Sequence, residues 1–109
     1  MEQSANLENN QEKIEKVKLI EALQVNGSEH PETKALMIKW IKQRETEVEK
    51  ENTSRATIVF NIDRADLYIA ANDMEGALEH LEDTLMQTRQ EGEKELGDQI
   101  RRKIKELKV

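Results

Sequence analysis

Residues 54–71 constrain this chain most. At the helical repeat of about 100° per residue, Ile58, Ile62, Ala65 and Ile69 fall in one stripe. Phe60, Leu67 and Ala71 fall in a second stripe on the opposite side. A helix apolar front and back has to be covered on both sides, so it belongs at the centre of a helical assembly. Thr53 or Ser54 supplies a hydroxyl for its first turn, and Asn72-Asp73 breaks it.

The segments on either side read as its cover. The first helix is expected over about 11–23, with Asn10 as cap, Val17, Ile20 and Leu23 on one face with Leu19 beside them, and Asn26-Gly27 as the stop. The second is expected over 31–50. Ser28 is its cap, Pro31 suits its first turn, and Met37, Trp40, Ile41, Arg44 and Val48 lie on one side. Its second half, 44–51, is nearly all charged and is expected to project into solvent. Asp73 opens a fourth helix over 74–90 with the stripe Met74, Ala77, Leu78, Leu81 and Leu85. The break before it is so short that the third and fourth helices must form an antiparallel hairpin. Gly92 ends the fourth helix. The fifth, over 93–107, carries the narrow stripe Leu96, Ile100, Ile104 and Leu107. Residues 1–10 are polar and Asn-rich and are expected to be a disordered tail, leaving 11–109 as one all-helical domain.

Composition closes off other classes. With no cysteine the chain has no disulfide framework, no Cys-ligated zinc and no thiol nucleophile. One proline and four glycines are too few for a turn-rich β sandwich. No apolar run approaches the roughly 18 residues of a membrane span, and 1–10 do not read as a secretory leader. The expected location is therefore cytoplasmic. The expected fold is all-α, about five helices in antiparallel hairpins or a small bundle.

No reaction is legible. His30 stands beside Pro31 as a solvated cap residue. His80, beside Glu79 with Asp83 one turn on, reads as a surface imidazole among acids. Neither belongs to a Glu-x-x-His or His-Glu-x-x-His pattern, and no metal is expected. Ser4, Ser28 and Ser54 fall in the tail or at caps, and Gly76, Gly92 and Gly97 are isolated, so no nucleophile and no phosphate loop emerge. The reading is a non-enzyme without a catalytic residue or cofactor. Charge is segregated: 53–99 hold 4 basic against 11 acidic residues, and 100–109 hold 5 basic against 1 acidic. Cations at a helix C-terminus that offset an acidic hairpin explain this. The basic end has no aromatic residue for base stacking, so nucleic acid is disfavoured, and no membrane is expected.

The stretch 65–85, ADLYIAANDMEGALEHLEDTL, resembles one tetratricopeptide repeat. The family's small residue and Tyr in the first helix, its turn, and the small and large residues of the second helix would fall on Ala65, Tyr68, Asn72-Asp73, Ala77 and Leu81. Small residues let the two backbones approach, and the large ones fill the space between them. The likeness spans about 53–90, with 93–107 as a capping helix. Asn61 and Arg64 stand where the family prefers Trp and Leu, Thr84 replaces an Ala, and no second copy lies 34 positions back. The resemblance implies an array of helical hairpins in which the first helix of the hairpin lines a peptide groove. Val59, Ile62, Asp66 and Ile69 are then the contact candidates, with Asp66 selecting a donor group. Asp63 and Asp66, on the flank between the two stripes, read either as such a polar groove or as a structural ion pair.

The expected function is a small adaptor or scaffold-like domain that binds a polypeptide segment. Two alternatives stand beside it. One is a self-associating structural protein, with the stripe of the fifth helix as a homodimer seam. The other is an acidic regulator occupying a cationic partner surface.

Overall fold

The computed structural model describes residues 13–108; the tail expected over 1–10 lies outside them. The described chain forms five helices and no strand: α1 Lys16–Asn26, α2 Pro31–Glu51, α3 Ser54–Ala70, α4 Met74–Glu91 and α5 Lys94–Leu107. Each of the four breaks contains one residue of positive φ: Gly27 at 86°, Asn52 at 51°, Asn72 at 65° and Gly92 at 71°. Glycine and asparagine tolerate this backbone region best, which is why the helices stop there.

The opening turns follow from local chemistry. Thr53 Oγ1 accepts the Ala56 amide at 3.0 Å, and Asp73 Oδ1 accepts that of Gly76 at 2.9 Å. The cap of α2 is His30, whose Nδ1 accepts the Glu32 amide at 3.2 Å, and not Ser28. The first helix also differs from expectation. It begins at Lys16 and runs on to the Asn26-Gly27 stop. Its buried pair is Leu19 and Leu23, an i,i+4 couple, whereas Val17 is 66% exposed. Choosing Leu19 and Leu23 as the inner face brings Lys16 round to the acids of α3.

α3 is covered on both sides. Ile58, Ile62 and Ala65 join Leu81 of α4 and Leu96 and Ile100 of α5 in one buried cluster. Phe60 and Leu67 join Leu19, Leu23 and Trp40 in the other. The Trp40 and Phe60 rings are tilted against each other, 5.8 Å apart. α3 touches every other helix, while α2 and α4 do not touch each other. The chain thus zigzags, with α1, α3 and α5 in one layer and α2 and α4 in the other. The described residues measure 49 × 33 × 15 Å. The short dimension is that of two helix layers, about 9 Å between axes plus about 2.3 Å of backbone radius on each side.

The half of α2 expected in solvent is partly engaged. The Arg44 guanidinium lies 5.5 Å from the Phe60 ring centroid and 5.9 Å from that of Trp40, and Val48 packs against the same cluster.

Candidate functional site

Two surface features could meet a partner. The first is an ionic seam across the outer face of α1, α3 and α5. Lys16 Nζ donates to Asp66 Oδ2 at 2.7 Å and to Asp63 Oδ1 at 2.9 Å. Lys103 Nζ, from α5, donates to the other oxygen of Asp66 at 3.0 Å. Arg44 spans Asp63 at 3.1 Å and Glu47 at 2.9 Å. The two acids therefore hold three helices to α3. Burial by itself would raise the Asp66 carboxyl; the hydrogen bonds from Lys16 and Lys103 outweigh it and hold the carboxyl below its ordinary range. Burial likewise pushes Lys16 down, and its bonds to Asp66 and Asp63 lift it above the usual lysine value. Arg55 and Arg64, the cations of α3 itself, take no part. Arg55 pairs with Glu93 at 2.8 Å, and Arg64 lies over Phe60 at 5.7 Å.

This seam decides what the four contact candidates can do. Ile62 is 5% exposed and sits inside the cluster with Leu81 and Ile100. Val59 is half-buried against the same cluster, and Ile69 is half-buried as well. Both oxygens of Asp66 are occupied. The structure does not bring these four together as an open apolar surface; a partner at Asp66 would meet a carboxylate already paired with two ammonium groups.

The second feature is a hollow of about 240 Å³ between α2 and the C-terminal half of α3. Its apolar walls are Met37 and Ile41 of α2 with Leu67, Tyr68 and Ala71 at the end of α3. Ser28, Arg64 and Asp73 add polar atoms at its edge. Ile38, one helical turn before Ile41, is 55% exposed, and Met74, next to Asp73, is 40% exposed, so apolar surface extends past the hollow. Small-molecule pockets run to about 300–1,000 Å³; this one is sized for side chains.

The floor of the hollow is stiffened from below. His80 Nε2 donates to the Asn61 carbonyl at 2.8 Å, and its ring lies 5.7 Å from that of Tyr68. The expectation of a surface imidazole among acids is thereby corrected: His80 is half-buried and joins α4 to α3. Burial pushes it below the usual histidine value; the Asn61 carbonyl opposes this, and the Arg64 charge adds to it. Among the described residues no group of three or more His, Asp or Glu side chains could hold a metal ion, and no helix is long and apolar enough to cross a membrane.

The hollow carried one signal in the sequence. Phe60, Arg64, Leu67 and Ala71 follow each other at i, i+4, i+7 and i+11, so an arginine interrupts an apolar stripe. What the stripe could not reveal is that α2 leaves its last turns partly uncovered. No protein-family model matches the chain, and no curated protein or solved structure matches it.

Proposed function

We propose that the chain is a non-catalytic helical adaptor that binds a polypeptide segment at the hollow between α2 and the C-terminal half of α3. The observation that carries this reading is the hollow itself: an apolar recess beside exposed Ile38 and Met74, floored by a helix that is rigidly held from four sides. Rigid helical scaffolds bind peptides by seating apolar anchors in such recesses. The zigzag of α1, α3 and α5 over α2 and α4 supports reading the chain as a short array of helical hairpins in the tetratricopeptide manner. Thr84 fits a small-residue slot because its hydroxyl bonds back to the His80 carbonyl at 2.7 Å, leaving its methyl to pack. Self-association through α5 would need a face other than its apolar stripe, because Leu96 and Ile100 are spent within the chain.

The test is a selection from a displayed peptide library, followed by amide-shift mapping of the selected peptides on the 109-residue chain. Binders should perturb Met37, Ile41, Leu67 and Tyr68. Ala71→Trp, which fills the hollow from a half-buried position, should abolish binding and leave the helical circular dichroism unchanged. Selected peptides that map elsewhere, or that bind the Trp variant as well as the parent, refute the reading.

A further inference from the structure

The hollow carries an unanswered positive charge. Arg64 is half-buried, yet among the described residues no carboxylate lies within ion-pair distance of it; its guanidinium lies 5.7 Å from the Phe60 ring centroid, and its charge disfavours a protonated His80. Arg44 is the internal control. It is half-buried too and lies over the same Phe60 ring, at 5.5 Å, but Asp63 and Glu47 neutralise it. Two arginines thus flank one aromatic ring, and the one that lines the hollow is the one left without an acid. Asp73 also lines the hollow, but its carboxylate caps α4: Oδ1 accepts the Gly76 amide, and the positive end of the helix dipole offsets part of its charge. The hydroxyls of Tyr68 and Ser28 make no hydrogen bond among the described residues and lie on the same rim. A guanidinium beside two free hydroxyls, at the edge of an apolar recess, is complementary to a planar anion joined to a greasy group.

Resting on the docking reading above, we infer that the hollow selects a peptide segment in which an apolar side chain stands next to a carboxylate. The apolar group enters between Met37, Leu67 and Ala71, and the carboxylate pairs with Arg64. Desolvation makes the pair specific: an amide in place of the acid leaves Arg64 half-buried without its counter-charge, and an ammonium repels it.

Three capped nonapeptides, identical except for Leu-Asp, Leu-Asn or Leu-Lys at the centre, test this on the full chain by amide-shift titration. The Leu-Asp peptide should bind about tenfold more tightly than the Leu-Asn peptide, the strength of one charge-assisted contact, and the Leu-Lys peptide should bind most weakly. Arg64→Gln should bring Leu-Asp down to the Leu-Asn affinity, and Arg64→Lys should keep part of the preference; circular dichroism establishes that both variants are folded. Equal affinity of all three peptides at the hollow overturns the acid preference and leaves docking intact. Absence of hollow shifts with every peptide overturns docking itself, and this inference with it.

Discussion

Asp66 ties two lysines from two other helices to α3, and its chemistry sets the acid limit of stability. Its carboxyl is held below the ordinary 3.8, so its contribution is complete above that value and is lost as pH falls through the lowered one. Lys16 is raised above 10.5, so its contribution is complete below that value and fades as pH climbs through the raised one. His80 is depressed below 6.5; the unfolded chain takes up the proton first, so stability drops as pH falls from about 6.5 towards the folded value. Urea midpoints measured across pH should therefore show a plateau between roughly 6.5 and 10.5 that declines on both sides. Asp66→Asn should remove the most acidic step, and His80→Gln the one just below neutrality. An unchanged profile in either variant would contradict the assignment. Asp66→Lys would set a third cation beside Lys16 and Lys103, so it tests folding before it tests any partner.

Each helix is held by a cap and a few buried side chains, and the two can be tested separately. Thr53→Ala removes the acceptor of the Ala56 amide at the start of α3; a loss of about 1 kcal/mol is expected from the shift in denaturation midpoint. Ile100→Ala empties a fully buried position between α5 and the α3–α4 hairpin and should cost about 2–5 kcal/mol. Because α5 shuts the Ile58–Ile62–Leu81 cluster, this variant should also bind a hydrophobic dye that the parent ignores. Gly97 is buried on α5 where a Cβ would stand 3.1 Å from Thr88 Oγ1, so α5 approaches α4 more closely than a larger residue allows. The spans of α2 to α5 were readable to within one residue because most of their ends are chemical: Asn or Gly in the left-handed region closes α2, α3 and α4, and a hydroxyl or carboxylate opens α3 and α4. The face of α1 was not. Val17 and Leu19 compete for burial on a helix of 11 residues, and only the position of Lys16 relative to Asp63 and Asp66 decides between them.

The described residues form a slab, with a Cα radius of gyration of 15.6 Å against about 13 Å for a compact domain of about 100 residues. Stability in such a shape is graded, since end helices are covered on fewer sides than the central one. Amide exchange should be slowest in α3, which every other helix contacts, and faster in α1, which buries only Leu19 and Leu23. If α3 exchanged first, the two-layer arrangement would be wrong. By itself, the sequence determined that the chain is helical, where most of its helices stop, and that α3 must be enclosed on two sides, because periodicity and turn chemistry are local properties. Tertiary structure alone decided which charges meet and where the cover is incomplete. Lys16, Asp66 and Lys103 are brought together from three helices. Arg64 is left facing the hollow because α2 does not close over the end of α3, and a gap between two helices has no signature in either of them.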